Sequence, residues 1–358
     1  MRSRSSVLWL LAALAAALLA VGAAACGGDD DDDGEGAATT ETAAQGEDIS
    51  AGLVSDVGRF NDKSFNQSAL EGLNKAKADL GIETRAIESR AAGDYVPNLS
   101  TLARQNFNVA IGVGFLLADG VNTVARQFPD ENFAIIDYSV MAPPFTDPKK
   151  NVATPTNVQG LTFATNENSY LIGCMAAMMA QKQGGQQVIS AVGGLEIPTV
   201  TIFIKGYEAG AKACNPSIKV LVGYSQDFVA QDKCKELALN QIAQGSQVVF
   251  QVAGGCGLGA LDAAKEKGKW GVGVDRDQSD LGPHILTSAV KRVDTSVFET
   301  VKAIQEGTWK GGTDAVFNLE NDGVAVGTTS DKVPQDVLDK VDELKQQLID
   351  GEITAPSS

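Results

Sequence analysis

Four ionisable side chains stand at the ends of apolar runs in the 358-residue chain. Asp56 follows ISAGLVS, Asp137 closes NFAIID, Asp275 closes WGVGVD and Lys291 follows ILTSAV. In open parallel sheets a ligand lies beyond the carboxyl ends of the strands, so this set predicts a cleft lined with hydrogen-bond acceptors. A vicinal diol suits such a cleft, because one carboxylate accepts two hydroxyl protons through charge-assisted bonds. Strand-end aspartates also cap helices and shape turns, so it is their number and not any single one that points to a site. Between Asp56 and Asn66 the text reads DVGRFNDKSFN, and Ser64 with Gln67 has the S-x-x-Q spacing of a capping box, which would expose Phe65 at the mouth of the cleft. Taken by residue type, Phe65 reads as a core side chain. Phe203 does too, since Val200, Phe203, Ile204 and Tyr207 follow i, i+3, i+4, i+7 and form a helical core stripe.

Other chemistries find little support. Gly255, Gly257 and Ala260 have the G-x-G-x-x-A spacing of a dinucleotide fingerprint, with Asp275 following 20 residues after Gly255. The motif falls in the second half of a chain that begins with an export signal, so a nicotinamide cofactor is not expected there, and the glycines read as a turn that lets backbone N–H groups approach a polar ligand. G-x-x-x-x-G-K-[ST] and H-E-x-x-H are absent, and the single histidine, His284, has no histidine partner for a metal. It reads as a structural or hinge residue. Neither catalysis, nor a cofactor, nor a metal site is expected.

The elements that must position these groups follow from composition and periodicity. The chain is 44% hydrophobic and 21% charged, enough for two domains with real cores, while 38 glycines and only 6% aromatic residues suit α/β turns better than a β-sandwich. A net charge of −16 excludes a basic footprint for nucleic acid. Strands are expected at 49–55, 82–89, 108–114, 132–137, 187–193, 218–224, 247–253 and 270–275, alternating with helix-period segments such as 64–80. That cadence predicts mostly parallel sheets in two batches. The Pro-rich stretch 141–157 reads as the first crossing between domains, LGPH at 281–284 as the second, and a closing helix is expected from about Pro334.

The N-terminal segment decides the compartment. Arg2 and Arg4 precede an apolar run from Val7, and Ala23, Ala24 and Ala25 precede Cys26, the pattern of an export signal. The small-residue end followed by Cys resembles a bacterial lipobox, although Ala23 stands where that pattern prefers Leu; plain cleavage after Ala25 and an uncleaved anchor are the alternatives. Lipidation is therefore expected on Cys26. Residues 26–48, with Asp29 through Asp33, have no apolar periodicity and read as an acidic flexible tether. Cys174, Cys214, Cys234 and Cys256 remain for an oxidising compartment. Cys214 ends one helical pattern and Cys234 begins another, which favours a Cys214–Cys234 bridge over the other pairings and over four free thiols.

The runs GLVSDVGRFNDKSFNQSALEGL, IGVGFLLADGV, NVQGLTFATNENSYLIG, GGLEIPTVTIFIKGYEAG, VAGGCGLGALDAAKE, GVGVDRDQ, LTSAVKRVD and GEITAP, in order across residues 49–355, resemble the BMP or PnrA-like family of ABC-transporter substrate-binding lipoproteins. The resemblance implies a type I periplasmic-binding-protein fold, two α/β lobes joined by hinge crossings. Lobe 1 is then expected at 49–157 plus about 282–320, and lobe 2 at 158–281 plus about 321–358. It implies a purine nucleoside as ligand, clamped between Phe65 and Phe203, with Asp275 and Lys291 on the ribose and Asn61 or Asp62, Asp137 and Asp56 at the base edge. Arg59 and Phe60 depart from the small residue usual there, so that Phe60 is expected to intrude on the cleft and Arg59 to add a charge. The implied partners are an ABC permease and ATPase on other chains, with this protein a monomer held to the outer face of a bacterial membrane by its lipid. A ligand sensor on the same fold, and a binder of a sugar or other furanosyl ligand, are the alternative readings.

Overall fold

The computed structural model describes residues 48–357. The expected export signal, the expected lipidation site Cys26 and the expected tether as far as residue 47 lie outside the described residues. Among the described residues no helix is long and apolar enough to cross a membrane.

Alternating strands and helices run from β1 (Ser50–Ser55) through α1 (Phe65–Leu80), β2 (Glu83–Ile87), α2 (Tyr95–Arg104), β3 (Val109–Val113), α3 (Ala118–Gln127), β4 (Asn132–Ile136) and β5 (Val158–Phe163). A second series comprises α4 (Thr165–Gln183), β6 (Val188–Gly193), α5 (Pro198–Cys214), β7 (Lys219–Tyr224), α6 (Gln231–Ala243), β8 (Val248–Val252), α7 (Gly254–Glu266), β9 (Trp270–Asp275) and β10 (Ile285–Lys291). The chain closes with α8 (Val293–Gln305), β11 (Asp314–Phe317), β12 (Val324–Val326) and α9 (Gln335–Ile349). Two six-stranded sheets result, ordered β11-β5-β4-β3-β1-β2 and β12-β10-β9-β8-β6-β7. All pairs are parallel except β10 with β12. Each sheet is the spine of one lobe, and every residue of β3, β8 and β9 is buried, as expected of strands covered on both faces by helices.

The chain passes between the sheets three times, after β5, after β10 and between β11 and β12. The expected boundaries at 157 and about 282 are thereby corrected. The Pro-rich 141–157 stretch stays on the first lobe: Phe145 is buried in its core, Arg126 Nη2 donates to Phe145 O and Ala153 O at 2.9 Å, and Val158 pairs with Phe133. The 281–284 segment turns between two strands of one sheet, β9 and β10. Proline breaks regular structure, but where the chain goes next depends on pairing with a strand already in place.

The cysteines pair as Cys174–Cys214 and Cys234–Cys256, which overturns the expected Cys214–Cys234 bridge. Between Cys214 and Cys234 lies β7, whose six residues span about 20 Å along the sheet, several times the Cα separation a bridge allows. Partners are set instead by helices that touch: α4 on α5 and α6 on α7. The α4–α5 contact is unusually close, because a Cβ on Gly173, Gly206 or Gly210 would come within 2.0, 2.3 or 1.8 Å of a backbone oxygen of the facing helix.

Candidate functional site

The carboxyl ends of both sheets face one cleft of about 600 Å³, counting its open mouth. Of the eight residues expected there, Asp56, Asp62, Phe65, Asp137, Phe203, Asp275 and Lys291 line it, and Asn61 is exposed and does not. Arg59 is exposed and Phe60 is buried in the core, so neither enters the cleft.

Each polar group is placed by its strand or helix. Asp56 follows β1, and its Oδ1 accepts from Gly58 N at 2.7 Å and Asn66 Nδ2 at 2.9 Å. Burial pushes its carboxyl up to about 6 against the pull of those two bonds. Asp62 Oδ1 accepts from Ser64 N and Gln67 N at 2.9 and 3.0 Å, and its Oδ2 accepts from Asn66 N at 2.9 Å. The capping box expected of Ser64 and Gln67 does not form, because the Asp62 carboxylate, a stronger acceptor two residues upstream, takes the free amides of the first turn of α1. Ser64 is released to donate from Oγ to Asp275 Oδ2 at 2.5 Å, on the other lobe.

Asp137 directly follows β4 and Asp275 ends β9, both in left-handed backbone at φ 68° and 64°. Such geometry is costly for a residue with a Cβ and collects at functional sites; Arg59 and Lys63, at φ 60° and 56°, share it in the adjoining loop. Burial raises Asp137 while Lys291 draws it down, and burial pushes Asp275 up to about 6 against Lys291 and Ser64. Lys291 Nζ pairs with Asp137 Oδ2 at 2.5 Å across the cleft, its side chain 2% exposed. The same ammonium lies 4.8, 5.0 and 5.6 Å from the ring centroids of Phe65, Phe163 and Phe203. Lys291 is thus the centre of the cleft, with carboxylates around it and rings on its flanks. Further bonds cross between the lobes, Gln278 Nε2 to Lys63 O at 3.0 Å and Arg276 to Glu71 at 3.0 Å. The lobes meet through groups that a change in lobe separation would part.

Val200, Phe203, Ile204 and Tyr207 form the predicted buried stripe, yet Val200 and Phe203 also line the cleft, so one helical face does both. Residue reasoning missed Asn66, Phe115, Thr199, Phe228 and Gly254. Asn66 Nδ2 is held by Asp56 and Asp62 while its buried Oδ1 has no partner, an acceptor left over in the wall. Only its place next to Phe65 could have signalled it. Of the fingerprint glycines only Gly257 is required by packing, since a Cβ there would lie 1.8 Å from Gln251 Oε1; one on Gly255 would make ordinary contact, 3.7 Å from Asp62 Cβ of the other lobe. His284 lies outside the cleft; its carbonyl accepts from Gly271 N at 2.8 Å. Among the described residues no group of three or more His, Cys, Asp or Glu side chains could hold a metal.

Two α/β lobes that offer strand-end groups to one ligand-sized cleft define a solute-binding clamp of the type I periplasmic-binding-protein fold. The chain matches, over residues 49–358, the Bmp family model of PnrA-like ABC transporter substrate-binding proteins, and it belongs to that family. It is 35% identical to the ABC transporter nucleoside-binding protein BmpA of Lactococcus lactis, over 87% of this chain and 90% of the relative. An uncharacterized lipoprotein of Pyrococcus horikoshii is 30% identical over 88% of this chain and 81% of its own. Among solved structures, an ABC transporter solute-binding protein from Aeropyrum pernix superposes with a TM-score of 0.77 at 26% identity, over 87% of this chain and 94% of that one.

Proposed function

We propose that this protein captures a purine nucleoside between its lobes and hands it to an ABC permease, working outside the cell membrane from a lipid on Cys26. The observation that carries this reading is Lys291, whose ammonium lies 4.8 and 5.6 Å from the Phe65 and Phe203 ring centroids, pairs with Asp137 of the other lobe and acts on the charge of Asp275 of its own. A flat base entering between the rings gains stacking on each face, about 1 to 3 kcal/mol per face, and tolerates different bases. Asp275 and Lys291 then hold the ribose hydroxyls, and Asp56, Asp137 and the spare Asn66 oxygen accept from donors on the base edge. Asp62, its oxygens already taken by the first turn of α1, keeps that wall rigid. Ligand contacts made on both walls stabilise the closed form, the one a permease would engage. The Lactococcus relative's name and the lipobox at Cys26 favour this reading over a sugar binder or a sensor, and the monomer and the separate permease and ATPase belong to the same reading.

The test is a thermal-shift and calorimetric panel of guanosine, inosine, adenosine, uridine and ribose on protein refolded to remove ligand. A nucleoside at 100 times its Kd should stabilise by about 2.7 kcal/mol. Purine nucleosides are expected to shift the transition in the native protein, and Phe65→Ala and Phe203→Ala should each weaken them at least tenfold. Shifts by ribose alone would move the assignment to a sugar.

A further inference from the structure

We infer that Phe228 is an additional wall of the ligand cleft, and that the Cys234–Cys256 bridge is the device that positions it. Phe228 lines the cleft beside Gly254 and belongs to the six-residue connection 225–230 between β7 and α6. Its ring lies on Gly194, where a Cβ would come within 2.3 Å of it, so that glycine leaves the space the ring fills. Its carbonyl accepts from Cys256 N at 2.9 Å. Cys256 stands in the first turn of α7 and Cys234 in the first turn of α6, so their bridge, fully buried at both ends, clamps together the two helix starts that flank the connection. Cys256 Sγ also lies 2.9 Å from Ala230 O and 3.5 Å from Ser225 Oγ, the two ends of the connection. The inner end is tied to the sheet by Ser225 N to Gly193 O and Gln226 N to Gly194 O, at 2.9 and 3.0 Å. The outer end is held by the Asp227 turn, which accepts from Val229 N and Ala230 N at 2.8 and 3.0 Å, by Ser225 Oγ donating to Asp227 O at 2.9 Å and by the exposed Lys233–Asp227 ion pair at 2.8 Å, with the bridge beneath it.

The second bridge serves as a built-in control. Cys214 ends α5, whose first turn carries the cleft residues Thr199 and Val200. At 1.5 Å per residue the bridge is about 20 Å from them, so Cys174–Cys214 ties helices together without bordering the site. Its removal should lower stability and leave the Phe228 connection as it is.

The choice of guanosine as probe rests on the nucleoside reading, so the experiment has one arm that needs no ligand. Amide hydrogen exchange on the ligand-free full-length protein compares Cys234→Ala/Cys256→Ala with Cys174→Ala/Cys214→Ala. Exchange at residues 226–230 and 254–257 is expected to rise tenfold or more in the first variant and to stay at the native level in the second. Unchanged exchange in the first, or an equal rise in both, would overturn the inference. In the calorimetric arm, Phe228→Ala is expected to weaken guanosine about tenfold, Phe228→Trp to restore most of it, and bridge removal added to Phe228→Ala to weaken it no further, the non-additivity of two changes acting through one contact. Full additivity would refute positioning through Phe228. If native protein ignores guanosine but binds inosine or adenosine, the calorimetric arm is run with that nucleoside; if it ignores all three, the nucleoside reading falls and the exchange arm alone decides the bridge's role. Should Cys234→Ala/Cys256→Ala fail to fold, the same exchange comparison is made on native protein with the bridges reduced and alkylated stepwise.

Discussion

Asp275→Asn should make the ligand-free protein more stable at neutral pH while destroying its capacity to bind. The Asp275 carboxyl is pushed from its ordinary 3.8 up to about 6, chiefly by burial. A raised carboxyl binds its proton more tightly folded than unfolded. Its contribution is therefore greatest below pH 4, and stability falls as pH rises from about 4 to about 6, then levels off. A shift of about two units corresponds to about 3 kcal/mol lost by pH 7. Asn keeps an oxygen to accept from Ser64 Oγ, which donates to Asp275 across the lobes, but it has no charge to desolvate. In urea titrations at pH 4.5, 5.5, 6.5 and 7.5 the variant should gain on the native protein up to pH 6.5 and then hold its lead, which levels off at about 3 kcal/mol, or about 5 °C in Tm. Above pH 7 the same substitution should abolish the nucleoside response. Parallel pH profiles for the two proteins would refute the argument, since they would mean that burial of this carboxylate is not what its ionisation opposes.

Other consequences are open to direct measurement. Asp62→Ala frees three amides at the start of α1 that now donate to its carboxylate; a loss of about 1 to 2 kcal/mol in chemical denaturation is expected, with Asp62→Asn losing less. Gly210→Ala places a Cβ 1.8 Å from Tyr170 O on α4, so α4 and α5 must move apart, at about 1 to 3 kcal/mol or more, read as a lower midpoint in urea. Lys291→Met leaves Asp137 without its ion-pair partner; Asp137 should then titrate higher, visible by carboxyl-resolved NMR or as a steeper fall of stability with rising pH.

Much of the layout was legible in the residues. Short runs alternating with helix-period segments located eight strands within a residue or two, along with α1, α5 and the start of α9; strands buried on both faces, such as β3, β8 and β9, are the continuously apolar ones, while the edge strands β2 and β7 are partly exposed. The strand β5, VQGLTF, has its apolar run broken by Gln159, Gly160 and Thr162 and follows a Pro-rich stretch, so its membership of the first sheet was not legible; nor were β11 and β12, of four and three residues. Strand-end polarity marked Asp56, Asp137, Asp275 and Lys291, because a parallel sheet places its carboxyl ends at the ligand. For Phe65 and Phe203, periodicity reported burial correctly and could not report a ligand-facing surface, since a cleft wall and a core stripe are apolar alike.

What the sequence determined by itself is local: the alternation of β and α, the net negative charge and the chemical types at the strand ends. Those follow from side-chain periodicity and composition, which act over a few residues. Only the tertiary structure decided which helices touch and hence which cysteines join, that Asp62 and not Ser64 caps α1, that Asn61 faces solvent, and that Lys291 of one lobe pairs with Asp137 of the other. These are meetings of groups far apart in the chain, like that of Ser64 and Asp275, 211 residues apart, and such meetings are decided by packing, where distance along the chain carries no information about distance in space.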